Sequence, residues 1–136
     1  MAFADINGAN LFYTDEGEGL PVLLVHGSTC DSFDWNYQLS ALDGKYRVIA
    51  VDRRGHGHSS APEGSYSAHQ DADDLAALLE HVGAERVVAV GHSTGGTVVA
   101  SLAARYPGRV RAIVPIGIAC CMPLLRPTRY GCQHCR

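Results

Sequence analysis

The stretch Arg86-Val87-Val88-Ala89-Val90-Gly91-His92-Ser93-Thr94-Gly95-Gly96-Thr97-Val98-Val99 decides the fold. Residues 86–90 read as a buried-type strand, aliphatic from Val87 on without alternation, as a strand covered on both faces requires. Glycines crowd the turn at 91–96. Val98, Val99, Leu102 and Ala103 then recur at helical spacing up to Tyr106, where Pro107-Gly108 stops the helix. A buried strand that feeds a helix through a sharp turn is one unit of a parallel sheet.

The same alternation extends in both directions. Upstream, Ser67 with Gln70 three residues on forms a capping box, and the helix behind it aligns Ala72, Leu75, Ala76, Leu79 and Val82 before Gly83. Arg47–Val51 and Val22–Val25 read as buried strands. Between them Asp31 or Ser32 can cap a short helix carrying Trp35, Leu39 and Leu42, stopped by Gly44. Phe3–Ile6 and Leu11–Asp15 flank the turn signal Asn7-Gly8 and read as an antiparallel hairpin. Downstream, Val110–Ile116 is a further strand, with Pro115 predicting an irregular end. The fold class is α/β: a doubly wound, mostly parallel sheet of about six strands with right-handed crossovers and an N-terminal antiparallel hairpin.

With 136 residues, 46% of them hydrophobic and 18% charged, the chain is sized and composed for one soluble globular domain, which excludes disorder, and no sustained heptad suggests a coiled coil. A net charge of −3 argues against a general nucleic-acid binder, so no nucleic-acid partner is expected. The longest stretch free of Asp, Glu, Lys, Arg and His, Ala112 to Leu125, has 14 residues and contains Pro115 and Pro123, whereas a membrane-spanning helix needs about 20. No basic segment precedes an apolar run at the N-terminus. These readings predict no membrane partner, a cytoplasmic location and reduced cysteines. The averages conceal a split: all 14 acidic residues precede Arg86, and every basic residue from there on is an arginine. Cys120, Cys121, Cys132 and Cys135 crowd the last stretch, while Cys30 stands alone.

Gly91-His92-Ser93-Thr94-Gly95 fits G-x-S-x-G, and a strand before it and a helix after it make that pattern a nucleophile elbow. Gly91 and Gly95 are required because side chains there would strike the adjoining strand or helix. The turn would lift the Ser93 hydroxyl above the sheet's carboxyl edge and set the Thr94 N–H under a developing oxyanion. His26-Gly27-Ser28 directly follows strand 22–25, where a second oxyanion donor belongs, and the Ser28 N–H is the candidate. Gly27 lets the chain bend toward the site, and His26 reads as a structural histidine that holds the loop. The charged and glycine residues of Asp52-Arg53-Arg54-Gly55-His56-Gly57-His58-Ser59-Ser60 read as organising a loop; no Lys-Ser/Thr follows the glycines, as a phosphate cradle would need. His92 adjoins Ser93, but neighbours on a sharp turn point apart, so it reads as packed against the loops.

Over about residues 3–118 the chain resembles the α/β-hydrolase fold family, carried by the H-G loop, the D-R-R-G-H-G-H-S segment and G-H-S-T-G-G in the family's order and spacing. The elbow is most similar to the cofactor-free haloperoxidase, esterase and lactonase branch. Haloalkane dehalogenase and epoxide hydrolase relatives carry Asp at the nucleophile position, so Ser93 argues against them. The resemblance implies Ser93 as nucleophile, the Ser28 and Thr94 N–H groups as oxyanion hole, a small acyl substrate (ester, lactone or thioester), an acyl-enzyme, and no metal or organic cofactor.

A serine needs a base, and the base an acid to fix its tautomer. In this family the chain order is Ser, Asp or Glu, then His. No acidic residue follows Glu85, and His134 alone follows the elbow, so neither the acid nor the base of a triad is identified and low turnover is expected of this chain. Residues 1–119 read as the N-terminal part of a hydrolase core. Residues 120–136, rich in Arg, Pro and Cys without periodicity, read as an unstructured or frame-shifted tail. A rival reading takes Cys132-Gln133-His134-Cys135 with Cys120-Cys121 as a zinc site, although a second C-x-x-C pair is lacking. In another reading the chain is a non-catalytic module that binds a small ligand or a partner. Strand 110–116 left at a sheet edge is expected to promote self-association.

Overall fold

The computed structural model describes residues 1–64 and 66–117; the tail and the alternative cysteine–histidine zinc site fall outside the described residues. Six strands, β1 (Ala2–Ile6), β2 (Ala9–Glu16), β3 (Pro21–Val25), β4 (Arg47–Val51), β5 (Val87–His92) and β6 (Val110–Ile116), form one sheet in the order β1-β2-β4-β3-β5-β6. The β1–β2 and β2–β4 pairs are antiparallel, and the β4–β3, β3–β5 and β5–β6 pairs are parallel. Strands β3 and β5 are therefore central among the parallel strands, and both chemically suggestive loops leave from their carboxyl ends.

The local causes are those legible in the sequence. Asn7 and Gly8 adopt φ 48° and 78°, the paired positive values that the tight hairpin turn demands. A 3₁₀ turn at Ser32–Trp35, capped by Asp31 through the Phe33 N–H, leads into helix α1 (Asn36–Leu42). Ser67 caps α2 (Ala68–His81) by accepting from the Gln70 N–H at 3.2 Å. Helix α3 (Thr94–Arg105) follows the elbow directly, and a short 3₁₀ turn at Pro107–Arg109 leads into β6.

Helices cover both faces, as the doubly wound pattern predicts. Leu75, Leu78 and Leu79 of α2 and Val98, Val99 and Leu102 of α3 bury against Leu23, Val25, Ile49, Val51, Val87 and Ala89. Each such side chain contributes on the order of 1.5–3 kcal/mol relative to exposure. On the opposite face Trp35 and the flank of α1 pack on Val22, Leu24, Val48 and Ala50.

Two details differ from expectation. Strand β5 runs through Gly91 and His92, which continue the ladder to Pro115 and Ile116, so Ser93 alone separates strand from helix. The irregularity predicted at Pro115 lies instead at the other end, where the register shifts between Val87 and Val88. Among the described residues β6 is an outermost strand, where proline's missing N–H is tolerated. No helix among the described residues is long and apolar enough to cross a membrane.

Candidate active site

Ser93 has φ 52° and ψ −118°, the conformation of the first central residue of a type II′ turn, a position that glycine ordinarily holds. Two main-chain bonds hold it there: the Ser93 N–H donates to the Ile116 carbonyl at 2.8 Å, and its own carbonyl accepts from the Gly96 N–H at 2.9 Å. The flanking glycines are steric necessities. A Cβ on Gly91 would run into the Gly95 carbonyl and lie 2.7 Å from the Gly96 nitrogen. One on Gly95 would run into the Val25 carbonyl oxygen and lie 2.5 Å from that of His26. Helix α3 thus starts against the backbone of β3, which brings the elbow and the 26–28 loop together. Gly27 completes the fit: a Cβ there would lie 3.3 Å from the Ser93 Cβ.

Ser28 and Thr94 meet across this junction, Oγ to Oγ1 at 3.1 Å. Both are exposed, while Ser93 between the loops is half-buried. The Thr94 N–H belongs to the first turn of α3, where no carbonyl four residues back within the helix is available. Among the described residues the Ser28 N–H has no backbone acceptor.

His26 is buried, and the Arg53 N–H donates to its Nε2 at 3.0 Å. With Nε2 an acceptor, the ring proton sits on Nδ1, which donates to the Gly27 carbonyl at 2.7 Å. Burial lowers the His26 pKa from 6.5 to about 4, outweighing the opposite effect of the Gly27 hydrogen bond. The ring ties the Gly27 carbonyl to the Arg53 N–H, and burial favours its neutral form. His92 is exposed and leans toward Gly27, its Nδ1 lying 3.2 Å from where a Cβ on that residue would stand.

The 52–60 loop is an organiser built on buried charge. Asp52 is fully buried and accepts from the Ser32 N–H at 2.7 Å and the His58 N–H at 2.8 Å. Burial pushes its carboxyl up, but these hydrogen bonds prevail and hold it below the usual range. Arg54 clamps Asp74 through Nε at 2.6 Å and Nη2 at 2.8 Å. Arg53 reaches Asp71, the Gly27 carbonyl and the Thr94 hydroxyl. Sequence reading missed this last set. The available signal was the pairing of two consecutive arginines with Asp71 and Asp74, which share a face of α2 at spacing three.

Two cavities flank the elbow. One of about 390 Å³ is lined by His26, Gly27, Cys30, Asp34, Trp35, Gln38, His92 and Ile116. Hydrogen bonding to Asp34, with burial, raises the Cys30 thiol above its ordinary value. The other, of about 310 Å³, lies on the Ser28 and Thr94 side beside Arg53 and His56.

Among the described residues, the Ser93 hydroxyl has no hydrogen-bonded imidazole. His56 Nδ1 faces the Arg54 carbonyl, His58 faces Asp52, and His69 Nδ1 faces the Ser101 hydroxyl. No group of three or more His, Cys, Asp or Glu among the described residues is placed to hold a metal ion.

The chain is 46% identical over 113 residues to a non-heme haloperoxidase of Rhodococcus erythropolis, covering 82% of this chain and 41% of that protein. It is 41% identical over 119 residues to epoxide hydrolase A of Mycobacterium tuberculosis, covering 84% of this chain and 37% of that protein. The solved structure of Est816, described as an N-acyl homoserine lactone degrading enzyme, superposes with a TM-score of 0.83 at 31% identity, over 86% of this chain and 45% of that one. The chain thus spans about two fifths of the length of the curated relatives it matches. The sequence profile of the alpha/beta hydrolase fold matches residues 21–128, well over half of the chain, and by that match the chain belongs to the α/β-hydrolase fold family.

Proposed function

We propose that this chain carries the nucleophile and oxyanion half of a serine hydrolase acting on a small ester, lactone or thioester. One observation carries the reading: a serine held at φ 52° and ψ −118° on the junction of a central strand and a helix, against a loop whose Ser28 lies 3.1 Å from Thr94. Ser93 Oγ attacks the acyl carbon. The carbonyl π electrons move onto oxygen, where the Ser28 and Thr94 N–H groups receive the charge. Collapse then expels the alcohol, thiol or ring oxygen and leaves the acyl group on Ser93. Such donors are worth about 2.7–4 kcal/mol each where one has been removed. The 390 Å³ cavity beside Gly27 is sized for a small acyl group. The lactone-degrading relative supports an acyl substrate, and Ser93 argues against an epoxide hydrolase, for which the family resemblance implies Asp at that position.

The proton of Ser93 needs an acceptor, and no imidazole among the described residues is hydrogen-bonded to its hydroxyl. We therefore expect faint turnover from these 136 residues. The same observation favours a second reading, a non-catalytic module that binds a small acyl ligand or a partner chain. A fluorophosphonate probe separates the two. Labelling that disappears in Ser93→Ala supports an activated nucleophile; absence of labelling in the folded chain overturns the catalytic reading.

A further inference from the structure

We propose that Arg53 is a positioning residue that aims the oxyanion-hole donor of Ser28, an inference that rests on the reading of Ser28 and Thr94 given above. The Ser28 N–H belongs to the same planar peptide unit as the Gly27 carbonyl, and in a trans unit the two bonds point in opposite directions. Whatever fixes the carbonyl therefore fixes the donor. Arg53 Nη2 donates to that carbonyl at 3.0 Å from one side, and His26 Nδ1 meets it at 2.7 Å. Both acceptor directions of the oxygen are occupied, so the peptide cannot swing without breaking two buried bonds. A positive charge on the carbonyl also polarises the unit and strengthens its N–H as a donor.

The second proton of Arg53 Nη2 goes to Thr94 Oγ1 at 3.2 Å, and that hydroxyl shares a hydrogen bond with Ser28 Oγ at 3.1 Å. One nitrogen therefore ties the residues that supply both candidate donors. Nη1 is held at 2.8 Å by Asp71 on α2, and the Arg53 main-chain N–H is anchored on His26 Nε2 at 3.0 Å. The guanidinium is buried and planar, and its fork geometry is the property being used; the single nitrogen of an ammonium cannot stand at the Nη1 and Nη2 positions at once. Arg53 reaches the acyl oxygen only through the peptide it holds.

The test compares the wild-type chain with Arg53→Lys and Arg53→Gln, reading two signals. One is the ¹H–¹⁵N resonance of the Ser28 amide, and the other is the second-order rate at which a fluorophosphonate labels Ser93. The expected result in each folded variant is a displaced Ser28 resonance, with β1 and β2 amides in place, and labelling slowed about tenfold, a fraction of what outright loss of a donor costs. An unmoved Ser28 resonance with labelling within about twofold of wild type, in either folded variant, overturns the proposal. If the wild-type serine takes no label, the catalytic reading fails separately. The Ser28 resonance then decides the positioning alone: displaced, it stands; unmoved, it falls.

Discussion

The strain at Ser93 can be measured by comparing two substitutions that both delete the hydroxyl. Ser93→Ala keeps a Cβ in the φ 52°, ψ −118° conformation, and Ser93→Gly removes it. Holding a non-glycine residue in such a sparsely populated region costs about 1–3 kcal/mol. Glycine loses roughly 0.4–1 kcal/mol of that advantage through the greater freedom of its unfolded chain. The remainder is about 1 kcal/mol in favour of the glycine variant, which in a domain of this size raises the melting midpoint by roughly 3–4 °C. Far-UV circular dichroism, with fluorescence of the lone and buried Trp35 as a second probe, reads both midpoints. At an ordinary position the order reverses, glycine being the weaker by roughly 0.5–1 kcal/mol. An alanine variant that melts above the glycine variant would refute the argument that position 93 trades stability for the placement of its side chain.

Gly95→Ala forces a methyl into the β3 backbone and is expected to cost about 3 kcal/mol, the upper end of overpacking, in urea titrations, whereas Gly108→Ala, with open space around it, changes the unfolding free energy by less than about 0.5 kcal/mol. Asp74→Ala leaves the buried Arg54 guanidinium without its carboxylate and is expected to cost about 3–5 kcal/mol in the same titrations. His26 is held at a pKa of about 4 in the folded chain, so between pH 6.5 and 4 the unfolded chain binds the extra proton; stability fully present above pH 6.5 is lost as pH falls through that window, by about 3 kcal/mol. His26→Gln, which keeps an acceptor for the Arg53 N–H, is expected to flatten that part of the pH profile relative to wild type. Ile113, Val114 and Ile116 of β6, an outermost strand among the described residues, are 38%, 44% and 44% exposed, and we expect concentration-dependent sedimentation that Val114→Lys suppresses; a concentration-independent monomer would count against self-association through this edge.

The sheet and helices could be read from the chain because their causes are local. The aliphatic runs at 22–25, 48–51 and 87–90, the Ser67 cap and the Asn7-Gly8 turn each act within a few residues of themselves. The elbow was equally legible, since Gly91 and Gly95 are demanded by contacts that any strand–turn–helix of that tightness creates. What escaped was the long-range polar wiring. Nothing in the spacing of Arg53 reveals that its guanidinium turns inward to Gly27 and Thr94, 26 and 41 residues away in sequence. An arginine in a glycine-rich loop looks the same whether solvated or buried until its carboxylate partner is located. The reach of β5 to His92 escaped for a related reason, because the ladder that extends it is supplied by β6.

Asp52 has a mechanical consequence for anyone who would re-engineer this scaffold. Its two carboxylate oxygens fasten the Ser32 amide on one side and the His58 amide on the other, and a Cβ on Gly57 would collide with Asp52 and come within 2.9 Å of the Asp31 Cβ. The segments after β3 and β4 are thus clipped into a single rigid plate. A chimera that imports one of them from another protein without its mate would bring a socket without its plug; grafts that travel as a matched pair keep the plate whole.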